Sequence, residues 1–304
     1  MNLKSIAFDK GGRVRSGWRV TVYIASSFFA SLTLLMAALP LVTALGVEID
    51  ARSSAIYVVQ FGISATVCLM FGWLWGRVFE ALPFRALGAA FTAGWFRDMA
   101  AGLVIGAASL LIAAGVVAVS GGLALAPNPS DSGAIARTLL GTLAIFSAGA
   151  AFEEIFYRGY VMQTLFRARY AAFAIVFTSL FFATSHNANP GASAFSWINT
   201  FLAGIWLAVA YVKTRNLWFP FGIHLAWNWT QGPLLGIPVS GLESLAPEPL
   251  LRATVSGPDW LSGGAYGLEG GAACTVALVV STIAIRYLPG LAPTEELRGF
   301  LQPT

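Results

Sequence analysis

The sequence predicts an all-α fold, a polytopic transmembrane helix bundle of about eight spans, on three observations. Of 304 residues, 57% are hydrophobic and only 11% charged, against about 25% charged in soluble domains. Mean hydropathy is +0.72. The charged residues are spaced so that uncharged stretches recur, long enough for the ~20 apolar residues a helix needs to cross the hydrocarbon. Such a composition excludes a water-soluble globular domain. It also excludes a disordered chain, which needs low hydrophobicity and high net charge. Nucleic acid is not an expected partner, because the net charge of +4 comes from 18 Lys and Arg spread thinly from Lys4 to Arg298.

The spans follow in order. No charged residue lies between Arg19 and Glu48, between Arg52 and Arg77, or between Asp98 and Asp131, which places the first three. The fourth runs from about Ile135 into the 150s. The charge-free interval from Arg169 to Lys213 holds two more, broken at Asn187-Ala-Asn-Pro-Gly191, a run that favours a turn. The seventh covers Leu217 to Trp229 and beyond, and the eighth runs from about Glu269 to Leu288. The basic start of the chain leads into an apolar stretch longer than the 7–15-residue core of a secretory signal, so it reads as an uncleaved first span. Between spans two and three, residues 80–98 suit either an interfacial amphipathic helix or an ordinary connector. The Pro- and Gly-punctuated stretch 232–267 reads as an external loop with little regular structure. The spacing of Gly102 and Gly106 fits close helix packing, in a chain so rich in Gly that chance also produces it. Cys68 and Cys274 lie far apart in apolar sequence and read as packing residues.

Lys and Arg flanking short loops mark the cytoplasmic side. Alternate loops separate on this test. Lys4, Lys10, Arg13, Arg15 and Arg19 precede the first span; Arg77, Arg85 and Arg97 follow the second; Arg167 and Arg169 follow the fourth; Lys213 and Arg215 follow the sixth; Arg286 and Arg298 come last. The opposite loops hold Arg52, Arg137 and Arg252 among Glu48, Asp50, Asp131, Glu243, Glu248 and Asp259. Both termini are therefore expected in the cytoplasm, with the chain multi-pass in the cytoplasmic membrane. The chain divides into three parts: residues 1–134 with spans one to three and the connector, 135–231 with spans four to seven as the core, and 232–304 with the external loop and last span.

Ionisable groups inside a membrane cost a few kcal/mol each on insertion scales, so each calls for a partner and usually a task. Three clusters qualify. In Glu153-Glu154-Ile-Phe-Tyr-Arg158, consecutive carboxylates point about 100° apart. Glu154 and Arg158, four apart, can pair along the helix, which leaves Glu153 free. The second cluster is Phe182-Ala-Thr-Ser-His186, and the third His224-Leu-Ala-Trp-Asn228, each with its terminal pair on one helix face. These hold the only two histidines in the chain. If Arg169 and Tyr170 turn a helical hairpin, Glu153 and His186 lie at nearly equal distances from the turn, about 24 Å along each arm, and can face each other. His224 then lies only about 12 Å beyond Asn216, and the depths agree if the polar end of the hairpin projects from the membrane.

The order EExxxR, FxxxH, HxxxN resembles the CPBP family of intramembrane proteases, which includes eukaryotic CAAX prenyl endopeptidases and bacteriocin-processing proteins. Arg158-Gly159-Tyr160 and the approach from Phe201 through Gly204 and Pro220 to His224 add to the likeness. The resemblance covers roughly Gly149 to Asn228. It implies hydrolysis of a peptide bond of a membrane-associated or lipidated peptide, in a cavity open toward the cytoplasm, with membrane lipids as surroundings. By position, Glu153 would activate water with help from His186, His224 and Asn228 would stabilise the oxyanion, and Arg158 would orient Glu154. Glu153, His186 and His224 also make a two-His, one-carboxylate set that could hold Zn²⁺, so a metalloendopeptidase and a metal-free glutamate protease both fit. A non-proteolytic bacteriocin-immunity or scaffold protein of the same fold is the competing function. A transporter fits less well, because the ionisable residues sit in one central block and no repeat is evident.

Overall fold

The computed structural model describes residues 6–9, 11–44 and 54–300. The expectations for Lys4, Lys10, Glu48, Asp50 and Arg52 fall outside them. Each expected span is a helix: α1 Ser16–Ala44, α2 Ser54–Glu80, α3 Trp95–Val119, α4 Ser132–Glu154, continued by a π-helical turn Ile155–Val161 and α5 Met162–Arg167, then α6 Ala171–Ser185, α7 Ala194–Thr214, α8 Trp218–Trp229 and α9 Ala272–Tyr287. Among the described residues, five helices are long and apolar enough to cross a membrane: 16–44, 55–80, 95–119, 132–167 and 194–214. α6 and α9 are shorter apolar helices, and α8 has 12 residues. The fourth span runs past the 150s to Arg167 because the π turn carries the helix through Glu154 and Arg158 rather than ending it.

The ends carry local signals. Asp131 opens α4 by accepting from the Ala134 N–H at 3.0 Å. Ser193 and Ser196 form a reciprocal cap at the start of α7, and Arg215 closes that helix in the left-handed conformation, φ 58°. Residues 81–94 hold one 3₁₀ turn, Phe84–Leu87, so this segment is a connector and not an interfacial helix.

One expectation needs correction. The stretch 232–267 is not without regular structure: Leu251–Val255 (β2) pairs antiparallel with Leu123–Pro127 (β1), Leu123 opposite Val255 and Pro127 opposite Leu251. Short turns follow, and Asn128 ties the two stretches, donating to Pro249 O at 2.7 Å. The turn residues that suggest a loose loop instead punctuate a packed one.

α1 and α2 bury little of their most apolar windows, 11% and 17%. Phe28, Phe29, Met36 and Met70 are exposed, a face that lipid covers and water would not tolerate. The first helices are nevertheless tied to the core by a buried ion cluster. Glu80 of α2 accepts from Arg167 Nε at 2.8 Å and Nη2 at 2.9 Å, and Arg19 of α1 approaches at 3.3 Å. This cluster puts the start of α1, the end of α2 and the end of α5 at one end of the bundle.

α3 and α8 pack at backbone contact. A Cβ on Gly102 would meet the Phe219 carbonyl, one on Gly106 the Ile223 carbonyl, and one on Gly222 the Met99 carbonyl. The expected close packing at Gly102 and Gly106 is therefore present. Their N-terminal ends are joined by Asn216, which donates to buried Asp98 at 2.5 Å and accepts from the Trp218 and Phe219 N–H groups that open α8. Gly106→Ala is expected to cost about 1–3 kcal/mol by forcing the helices apart. Gly115→Ala, where nothing lies within 4 Å, should be neutral. Unfolding midpoints of the two variants check this.

Candidate active site

Glu153 and Glu154 close α4, immediately before the π turn. Single wide turns of this kind inside helices often sit at functional sites. Here Gly159 leaves helical geometry, at φ −70° and ψ −110°. Glu154 and Arg158 are both fully buried and pair at 3.0 Å. Arg158 Nη2 also donates to Gly204 O on α7 at 3.1 Å, and its guanidinium lies 5.0 Å from the Phe182 ring centre. Gly204 also lets α7 lie close to α6, since a Cβ there would come within 2.8 Å of Ser179 Cα.

His186 sits at the C-terminal end of α6, where the turn at 187–191 stops the helix. Its backbone N–H turns to Ala183 O instead of Phe182 O. That frees the Phe182 carbonyl, which accepts from the Ser185 hydroxyl at 2.8 Å and faces His186 Nδ1 at 2.7 Å. A carbonyl oxygen can only accept, so Nδ1 carries the proton and Nε2 is left as the free nitrogen of the neutral ring. His224 follows the same logic on α8: Nδ1 lies 3.0 Å from Glu154 Oε1. Both rings therefore turn Nε2 toward Glu153, His224 at 3.6 Å from Oε2 and His186 at 4.0 Å from Oε1. Phe182 lies between them, its ring centre 4.7 Å from that of His186 and 6.1 Å from that of His224.

Glu153, His186, His224 and Asn228 line one cavity of about 580 Å³. Glu153 and His186 keep side-chain exposures of 18% and 17%, against 1% for Glu154, so the first pair is reachable and the second carboxylate is not. The six residues singled out from the sequence thus separate by position. Four face the cavity, while Glu154 and Arg158 stand behind His224. Sequence reasoning missed the Glu154–His224 contact, because the pairing of Glu154 with Arg158 seemed to account for it. It also missed Tyr157, whose hydroxyl donates to Ser185 Oγ at 2.9 Å beside His186, although Tyr157 stands four residues after Glu153 on the same face.

The arrangement places a partly exposed carboxylate beside two imidazole nitrogens. With both Nδ1 atoms engaged as donors, three acceptors converge, and a group bringing protons, such as water, suits the space among them. Among the described residues there is no group of three His, Cys, Asp or Glu placed to hold a metal ion. The orientation of each imidazole by a second acceptor leaves Nε2 free, which suits proton transfer and metal ligation alike.

The family model for Type II CAAX prenyl endopeptidase Rce1-like matches residues 135–230, which include every residue of this constellation. No curated protein and no solved structure matches the chain. The match takes in about a third of the chain, residues 135–230, which resemble the Rce1-like type II CAAX prenyl endopeptidases across the helices that carry the site, and the five long apolar helices support a membrane location.

Proposed function

We propose that the protein is an intramembrane endopeptidase that cleaves a membrane-associated or lipidated peptide with water activated by Glu153. The observation that carries this reading is the convergence of Glu153 with the Nε2 atoms of His186 and His224 in one cavity. Glu153 takes a proton from water, and the resulting hydroxide attacks the scissile carbonyl. A positioned base of this kind is worth about 10²–10⁴-fold. His186, with its Nδ1–H held by a neutral carbonyl, orients the water through Nε2. His224, backed by the Glu154 carboxylate, is the ring better placed to act as a charged donor. With Asn228 it stabilises the oxyanion, each such donor being worth about 10²–10³-fold. Glu153 then returns its proton to the leaving amine.

The cytoplasmic membrane, with both ends of the chain on the cytoplasmic side, is the placement we propose. It is supported by the meeting of Arg19, Glu80 and Arg167 at one end of the bundle, and by Lys213 Nζ donating to Arg286 O at 3.3 Å, which brings the basic ends of α7 and α9 together. Membrane lipids and a peptide carrying a lipid are the partners this cavity suits.

Purified protein in lipid bilayers should cleave a quenched fluorescent peptide that ends in a prenylated Cys-a-a-X sequence. Failure to cleave any such peptide sinks the reading. Glu153, His186 and His224 are the residues that would hold zinc, and no step is assigned to it. Activity is therefore expected to survive exhaustive dialysis against a chelator, with metal content measured on the same sample. Loss of activity restored by added Zn²⁺ would instead identify a metalloendopeptidase.

A further inference from the structure

Among the described residues, one carboxylate besides Glu153 lines the cavity: Glu269, in the segment between β2 and α9. Three donors hold its carboxylate. Trp227 Nε1 donates to Oε1 at 3.0 Å, and the backbone N–H and hydroxyl of Ser240 donate to Oε2 at 2.5 and 2.8 Å. The backbone beside it is equally fixed. Asn199 Nδ2 donates to Glu269 O at 2.9 Å and Gly271 O at 2.8 Å, while Asn199 Oδ1 accepts from the Thr275 hydroxyl at 2.6 Å.

All three donors to the carboxylate are neutral, and among the described residues no Lys or Arg lines the cavity. Its walls thus present two carboxylates and two imidazoles with no permanent cation. Latching the segment to Trp227 and Ser240 takes an acceptor at both carboxylate oxygens, but none of these donors carries a charge. A carboxylate inside an apolar bundle costs free energy that neutral hydrogen bonds only partly offset, and an arriving cation would offset the rest.

Position ties Glu269 to the reacting centre. Trp227 lies three residues after His224 and one before Asn228 on α8, a rise of about 4.5 Å from His224 along the axis. An extended peptide advances about 3.3 Å per residue, so substrate residues close to the scissile bond pass within side-chain reach of the carboxylate. We propose that Glu269 is a specificity-determining residue, forming a subsite for a cationic side chain, Lys or Arg, within about three residues of the cleaved bond. This rests on the endopeptidase reading and names the class of peptide that the site takes.

The test uses the full chain in bilayers and matched quenched peptides with Lys, Gln or Glu scanned over three positions on either side of the cleaved bond. At one position Lys should raise kcat/KM over Gln by about tenfold, with Glu poorer than Gln. In Glu269→Gln the Lys-to-Gln ratio should fall to near one. A ratio is insensitive to a general loss of folded protein, so a purely structural role for Glu269 would leave it unchanged. Absence of a Lys preference at every position, or a preference that survives Glu269→Gln, overturns the proposal. Binding of the same labelled peptides to Glu153→Gln gives a readout that needs no turnover. If the wild-type protein cleaves nothing, the endopeptidase reading falls. A Lys-over-Gln preference in binding that Glu269→Gln removes would still uphold the subsite, and equal binding would overturn it.

Discussion

Glu153→Gln is expected to lower peptide cleavage on the order of 10³-fold while leaving insertion and the unfolding midpoint near wild type. The carboxamide has the size and shape of the carboxylate, and the nearest partners of Glu153 stand at 3.6 and 4.0 Å, too far for hydrogen bonds whose loss would unsettle the bundle. What the change removes is the ability to accept a proton. Measuring kcat/KM beside thermal unfolding in the same bilayer or detergent separates chemistry from folding. It also separates the enzyme from a bacteriocin-immunity or scaffold protein of the same fold, because a scaffold would keep its phenotype with Gln at this position. Turnover persisting at wild-type rate in Glu153→Gln would end the mechanism proposed above.

The converse pattern is expected at Arg158. Arg158→Ala leaves Glu154, a buried carboxylate at 1% side-chain exposure, with the His224 Nδ1–H but without its permanent cation, removes the donor to Gly204 O and takes the cation from the Phe182 face. Breaking a buried pair from one side costs about 3–5 kcal/mol, so the variant should unfold far more readily than Glu153→Gln. Replacing both partners, as in Arg158→Met with Glu154→Gln, should recover much of that stability, because no unpaired charge remains. Activity should not recover with it, since His224 Nδ1 then faces a neutral amide in place of the carboxylate. A loss below about 1 kcal/mol for Arg158→Ala, the range of exposed ion pairs, would show that this pair does not hold the π turn.

Much of this was legible before any coordinates. Uncharged stretches between Arg19 and Leu288 locate the helices because backbone polar groups in lipid must bond within their own segment. The Glu153 and His186 counts from the turn at Arg169 place the two at one level, as the structure does. Less legible was anything decided by backbone shape. The π turn leaves no mark in composition, yet it sets Glu154 toward His224 and Arg158 toward Gly204. The pairing of β1 with β2 joins segments more than a hundred residues apart, one of which reads as the tail of an apolar helix. The glycines at 102 and 106 showed their spacing but not their partner, which only the fold identifies as α8. In the sequence Glu269 marks only the start of the last span, because its donors Trp227 and Ser240 become neighbours only through the folded loop.

The cluster at Glu80 bears on how self-sufficient the matched segment is. Residues 135–230 are those the family model matches, but Arg167 within them takes its counter-charge from α2, and Glu80 is shared in turn with Arg19 of α1. Excised, the segment would carry an orphaned guanidinium where it most needs neutrality, and α8 would lose the glycine-lined neighbour against which it lies. The first three helices are thus not a detachable anchor bolted to an independent module. Transplanting the family-matched stretch onto a foreign membrane scaffold would require carrying their contacts along.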